Sequence, residues 1–312
     1  MYSQRLLVAL CSVLILTVAA DGDATSHNSL KSKLPRPGVC GVNLADRIIG
    51  GQKTALNAYP WTVLLIAQPT NGNSQSYSCG GSLISDQYVL TAAHCFRELP
   101  PGFNITKVRL GEWDLLSEED CVDGVCADKP IDIDVGSAAI HEDYDSVDIH
   151  NDIALIKLSR KVSYTDFISP VCLPLSISNN EPDSSKNFTV VGWGATERGQ
   201  ERPGVFGNRY KLEVVVPGVD LDECKKTYPR LIDSELCAGG ELLKDSCSGD
   251  SGGCLAAHED DGYWYQYGVV SYGRGCGRRD TPGVYARVTS FLSWIDNHME
   301  VAAESDNNVD ES

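Results

Sequence analysis

Seven residues in the C-terminal third constrain this chain more than any others: Cys247-Ser248-Gly249-Asp250-Ser251-Gly252-Gly253. A serine hydroxyl is a poor nucleophile on its own. It needs a base to take its proton and amide N–H groups to hold the oxyanion that forms. Glycines on both sides of Ser251 let the backbone turn tightly. The N–H groups of Gly249 and Ser251 can then point into one small space. Such pentamers also occur in ordinary turns, so the weight comes from two companions upstream. These are Thr91-Ala92-Ala93-His94-Cys95 and Asn151-Asp152-Ile153-Ala154-Leu155. Alone, His94 reads as a core or disulfide-adjacent histidine, and Asp152 as a strand-end or turn aspartate. Together with Ser251 they read as a catalytic triad, because independent motifs agree across the chain. His94 would accept the Ser251 proton, and Asp152 would hold the other ring N–H.

Short β-rich runs recur at Thr62–Ile66, Tyr88-Val89-Leu90, Lys107–Leu110, Ile153–Leu158, Thr189–Val191, Lys211–Val216, Tyr265–Val270 and Gly283–Val288. Turn residues separate them, which is the pattern of an all-β sandwich or barrel. Phe291, Leu292, Trp294 and Ile295 follow Thr289 and Ser290 at helical spacing and predict a short C-terminal helix. The formal charge of −17 disfavours nucleic acid and anionic membrane as partners.

The first residues, Met1 to Arg5, precede an apolar run at Leu6–Leu16 and then Val18-Ala19-Ala20. This reads as a secretory signal peptide over residues 1–20. The run is shorter than the ~20 apolar residues of a spanning helix. The expectation is therefore a secreted, extracellular protein in which disulfides persist. Of twelve cysteines, Cys11 lies in the signal, which leaves an odd number. Residues 21–47 are polar, with too little apolar content to fold alone. Arg47 lies before Ile48-Ile49-Gly50-Gly51 in this exposed, flexible stretch, where the backbone is open to cleavage. Residues 300–312 read as an acidic, solvated tail.

These motifs, with Tyr59-Pro60-Trp61, Cys79-Gly80-Gly81-Ser82-Leu83, Gly192-Trp193-Gly194 and Thr281-Pro282-Gly283-Val284-Tyr285, resemble those of the chymotrypsin-family serine proteases. The likeness runs from Ile48 to about His298. Leu110-Gly111-Glu112-Trp113-Asp114 followed by Cys121 and Cys126, with Val215-Val216-Pro217 and Asp245-Ser246-Cys247, is most similar to the arthropod clip-domain group (Easter-like and prophenoloxidase-activating enzymes). The six-cysteine pattern of a clip domain is missing before Ile48. The resemblance implies two antiparallel six-stranded β-barrels with the active site in the cleft between them. His94 and Asp152 would come from the first barrel and Ser251 from the second.

It also implies a protease domain over residues 48–299, activated from a zymogen by cleavage after Arg47. The new α-amine of Ile48 would pair with Asp250 and order an oxyanion hole at Gly249 and Ser251. Asp245 would form the floor of the primary pocket and select Arg or Lys, because a buried carboxylate demands a cationic partner. Gly273 and Gly283 would be its walls. Ser271, Tyr272 and Gly273 would pair with the substrate backbone. Tyr272 replaces a more frequent Trp. Pro282 stands where sodium-activated relatives carry Tyr. Implied disulfides are Cys40–Cys172, Cys79–Cys95, Cys121–Cys126, Cys224–Cys237 and Cys247–Cys276. Cys254 replaces the family's usual proline and reads either as a buried small residue or as a free or intermolecular thiol.

Partners by resemblance are a protein substrate cleaved after Arg or Lys, an upstream trypsin-like activator and a serpin-type inhibitor. The setting would be an extracellular cascade of immunity, melanisation or development, or a venom. No cofactor is needed for the chemistry. Glu112, Asp114, Glu118, Glu119 and Asp120 gather in one loop, which fits either a structural calcium ion or a solvated acidic loop. Asn104-Ile105-Thr106 and Asn187-Phe188-Thr189 are glycosylation sequons. The competing readings are a non-catalytic homologue acting as a decoy or binding cofactor, and an adhesion protein using Cys254 or the acidic tail.

Overall fold

The computed structural model describes residues 29–44, 52–72, 74–176, 183–195, 207–242, 249–275 and 277–300. The first barrel is closed by six antiparallel strands in the order β2-β3-β4-β9-β8-β5. These are β2 (Thr62–Pro69), β3 (Ser76–Leu83), β4 (Tyr88–Thr91), β5 (Phe103–Leu110), β8 (Ile131–Ile140) and β9 (Ala154–Leu158), with the small separate hairpin β6 (Cys121–Val122) and β7 (Val125–Cys126) between β5 and β8. Strand β2 is apolar along Val63-Leu64-Leu65-Ile66, and all four are buried. Such a continuous run is the sequence of a strand covered on both faces.

The second barrel contains β10 (Asn187–Gly192), β11 (Leu212–Val219), β12 (Glu235–Gly239), β13 (Cys254–His258), β14 (Trp264–Tyr272) and β15 (Pro282–Arg287). Pairing of β11 with β12 closes it, and the short β1 (Gln52–Lys53) lies outside on β11. Phe188, Val190, Val216, Leu236 and Tyr285 fill its interior. Burying each such side chain contributes about 1.5–3 kcal/mol. A larger cluster runs from the first barrel into the seam between the two, through Trp61, Val191, Cys254, Ala256 and Trp264. The all-β architecture of two six-stranded barrels is as expected. So is the C-terminal helix, here Leu292–His298 after a 3-10 turn at Val288–Phe291.

The segment ahead of the protease body differs from the expectation of a flexible stretch. Residues 29–33 are helical, and Leu30 is 1% exposed within the main core cluster. The Lys33 ammonium pairs with Asp296 Oδ1 at 2.6 Å and donates to its carbonyl at 2.7 Å. Gly41 exchanges backbone bonds with Pro170 and Trp264, and Cys40 is bonded to Cys172. The segment has too little apolar surface to fold alone, but it folds against the body. Residues 45–51, and with them Arg47 and Ile48, lie outside the described residues, as do the signal and the tail from residue 301 onward.

Candidate active site

Strands β4 and β9 are neighbours, with Thr91 opposite Ala154. The residues just beyond these two strand ends must therefore approach each other. His94 opens the short helix His94–Arg97 that follows β4. Asp152 precedes β9, after a left-handed residue, Asn151, at φ 54°. The His94 backbone N–H donates to Asp152 Oδ1 at 2.8 Å, and its Nδ1 lies 2.7 Å from Oδ2. That pairing places the ring proton on Nδ1 and leaves Nε2 as an acceptor. Asp152 is 1% exposed. Its Oδ2 also accepts the Ser271 hydroxyl, at 2.5 Å, across from the second barrel. Burial pulls the His94 pKa down, but the Asp152 hydrogen bond and charge, with Glu98, outweigh it and raise it above the ordinary value.

Ser251 lies in a turn before β13. Its carbonyl accepts the Gly80 N–H of the first barrel at 2.8 Å. Gly249 and Gly252 take φ values of 105° and 77°, which favour glycine. A Cβ at Gly252 would lie 2.2 Å from Thr91 Oγ1 and 3.1 Å from Cys95 Sγ. The residue after Ser251 therefore abuts the residue after His94, which sets the Ser251 turn of the second barrel against the His94 segment of the first. Asp250 is 9% exposed, and its Oδ1 accepts the Gly194 N–H at 2.8 Å. A Cβ at Gly192 would come within 2.3 Å of that carboxylate, and one at Gly194 within 2.2 Å. The Gly192-Trp193-Gly194 motif thus forms a cradle for Asp250.

Of the pocket residues, Asp245 lies outside the described residues. Gly273 and Gly283 face each other, since a Cβ at Gly273 would meet only Gly283 Cα, at 3.9 Å. Tyr272 ends β14 and donates its hydroxyl to Glu235. Four implied disulfides are formed: Cys40–Cys172, Cys79–Cys95, Cys121–Cys126 and Cys224–Cys237. The Cys247–Cys276 pair lies outside the described residues. Cys254 is fully buried and unpaired. Burial pushes its thiol up to about 12, against the Ser82 hydroxyl and Trp61 indole beside it. It is therefore a small core residue, and an intermolecular bridge through it does not fit. Asn104 and Asn187 are both exposed at strand positions.

The acidic loop is only partly a cluster. Glu112, Asp114 and Asp120 are buried, while Glu118 and Glu119 are exposed. Arg209 engages both oxygens of Asp114 at 2.6 Å. Glu112 takes the Trp113 N–H and Arg109, and Asp120 Oδ2 takes the Asp114 N–H. Asp120 Oδ1 is buried with no hydrogen-bond partner. Burial raises the pKa of both Glu112 and Asp120; the Asp120 charge adds to the rise at Glu112, and the Asp114 charge adds to it at Asp120. Buried Lys211, just before β11, donates its backbone N–H to the Trp113 carbonyl, and burial pulls its ammonium down to about 8. The buried Lys211 ammonium is the positive charge that Glu112 and Asp120 meet here, while Asp120 Oδ1 has no hydrogen-bond partner.

Sequence reasoning missed the Ser271 bond to Asp152, because it joins two barrels and leaves no local signal. It also missed the Gly192 and Gly194 cradle, although the motif itself stood out.

The trypsin family model matches residues 48–295. CLIP domain-containing serine protease B4 of Anopheles gambiae is 42% identical over 277 residues, covering 86% of this chain and 75% of that protein. Spaetzle-processing enzyme of Drosophila melanogaster is 42% identical, covering 86% and 70%. Phenoloxidase-activating factor 1 of Holotrichia diomphalia is 40% identical, covering 87% and 76%. Among solved structures, the Drosophila Grass clip serine protease of the Toll pathway aligns with a TM-score of 0.71 at 33% identity, covering 86% of this chain and 76% of that one. The fold, the motif order and these likenesses agree: the chain belongs to the trypsin family of serine proteases.

Proposed function

We propose that this protein is a secreted serine endopeptidase, made as a zymogen, cleaved after Arg47 and acting after Arg or Lys. The observation that carries the reading is His94 Nδ1 at 2.7 Å from the buried Asp152 carboxylate. In that tautomer Nε2 takes the Ser251 proton as Oγ bonds to the scissile carbonyl carbon. The carbonyl oxygen becomes an oxyanion held by the N–H groups of Gly249 and Ser251. His94 then gives the proton to the leaving amine. Water, deprotonated by His94, hydrolyses the acyl-enzyme and frees Ser251.

Asp245 supplies the basic-residue preference, with Gly273 and Gly283 leaving room for the side chain. The Ile48 α-amine pairs with Asp250 after cleavage and completes the oxyanion hole. A shift of this kind is the ordinary repertoire of a conformational switch. Relatives named for processing Spaetzle and for activating phenoloxidase support an extracellular cascade as the setting. An upstream protease as activator and a serpin-type inhibitor fit that setting. Glu112 and Asp120 would hold a calcium ion, which would neutralise their repulsion and fasten the loop.

The test uses two amide substrates, ending in Arg and in Phe, before and after cleavage at Arg47, with Ser251→Ala as control. Arg-selective hydrolysis that appears only after cleavage, and vanishes in the variant, is expected. Clean cleavage without hydrolysis would overturn the enzymatic reading in favour of a binding cofactor.

A further inference from the structure

The loop that leads into Asp152 carries a second group of potential ligands. One ligating atom each from Asp145, Asp148 and His150 lies within 4.8 Å of the others. The loop is a tight hairpin: Asp145 and His150 form an antiparallel bridge, and the Asp145 N–H donates to the His150 carbonyl at 3.1 Å. One polar atom of each side chain is engaged elsewhere. Asp145 Oδ1 accepts the Val147 N–H at 2.8 Å. Asp148 Oδ1 accepts from Arg230. His150 Nε2 donates to the Arg230 carbonyl at 2.9 Å, because a carbonyl can only accept. That bond fixes the tautomer and leaves the Nδ1 lone pair available. A histidine whose other nitrogen donates to a backbone carbonyl is the usual outer arrangement of a metal ligand.

We propose that Asp145, Asp148 and His150 form a binding site for a divalent transition metal such as Zn²⁺. The donors are one imidazole nitrogen and the two remaining carboxylate oxygens, with further positions open to water. Imidazole shifts preference from the all-oxygen shells of calcium and magnesium toward zinc. The site is distinct from the Glu112 and Asp120 loop, which offers oxygen alone. It stands two residues from Asp152, and Arg230 ties it to the second barrel. A bound metal would fasten the hairpin at the rim of the cleft.

The experiment is calorimetric titration of the full chain with ZnCl2, in excess calcium to satisfy the Glu112 and Asp120 loop. One zinc site is expected, weakened at least ~10-fold by His150→Gln and by Asp145→Asn. His298→Gln, at the C-terminal helix, is expected to leave the isotherm unchanged. Absence of binding, or an isotherm that His150→Gln leaves intact, overturns the site and puts any zinc at another histidine. Zinc binding here is independent of hydrolysis, so a failure of the protease reading would leave the isotherm unaffected.

Discussion

The two halves of the cleft are held by different means. On the first-barrel side, His94 and Asp152 sit beyond adjacent strand ends and are joined by two direct hydrogen bonds, at 2.8 and 2.7 Å. On the second-barrel side, the Ser251 turn depends on backbone shapes that favour glycine at Gly249 and Gly252, and on a carboxylate seated between Gly192 and Gly194. The first half is held mainly within its own barrel, with one bond from Ser271 reaching Asp152 across the seam. The second has a conformation that a change at Asp250 could alter. Under the proposed activation by cleavage, this division would let His94 and Asp152 be built in advance while the Gly249–Ser251 turn changes.

The largest expected effect falls on the prebuilt half. Asp152→Asn keeps the shape but favours the wrong imidazole tautomer, with the proton on Nε2. Turnover of an Arg amide by the cleaved enzyme should fall about 10⁴-fold at neutral pH. A loss under tenfold would mean that His94 is not oriented by Asp152. The next effect falls on the other half. Gly252→Ala puts a methyl 2.2 Å from Thr91 Oγ1 and 2.7 Å from the Gly80 carbonyl, at φ 77°. The Ser251 turn must move, and kcat should fall by about 10²–10³, the scale of one lost oxyanion donor. The His94 imidazole resonance, followed by NMR against pH, should be nearly unchanged. A shift as large as that of Asp152→Asn would show that the two halves are not separately held.

The sequence made some of this division legible and hid the rest. The runs at Thr62–Ile66 and Ile153–Leu158 read as strands because they are mostly apolar and bounded by turns, and β2 and β9 stand there. Four of the barrel strands left almost no such signal. Ser76–Leu83, Glu235–Gly239 and Cys254–His258 are rich in small or polar residues, and Ile131–Ile140 is mostly solvent-facing, so pairing across the barrel decides them. The triad was legible because each member sits in a local motif. The Ser271 bond to Asp152 was not, since it forms only once two barrels meet. The polar strap at residues 29–44 was misread as flexible for the same reason. A buried leucine, an ion pair, a disulfide and the backbone bonds of Gly41 hold it, and composition does not weigh such partners.

A smaller effect on turnover tests the bond that crosses between the halves. Ser271→Ala removes a donor that shares the Asp152 charge, so more of that charge acts on His94. The His94 pKa, already raised, should rise further. Its protonated pair with Asp152 stabilises the fold below the unfolded-state value near ~6.5. That contribution is lost as pH rises through the higher folded value. Catalysis needs the neutral ring, so the acid limb of kcat should lie above ~6.5 in the native enzyme and higher still in the variant. The drop in kcat well above this limb should stay under about tenfold. A pH–rate profile that is flat from pH 5 to 8 would remove His94 from the role of base.

The smallest effect on turnover, and a large one on stability, is expected far from both halves. Leu30 is buried in the core cluster beside the strap's ion pair from Lys33 to Asp296. Leu30→Ala should cost about 2–5 kcal/mol through lost burial and the cavity left behind. For a domain of this size that lowers Tm by on the order of 10 °C. The kcat of the cleaved enzyme at 25 °C should be unchanged, because no bond of the strap reaches His94, Asp152 or the Ser251 turn among the described residues. A normal Tm would mean that the strap is a passive remnant of the cut. A normal Tm with reduced kcat would tie the strap to the switchable half, and the division between a fixed and a conditional side of the cleft would have to be redrawn.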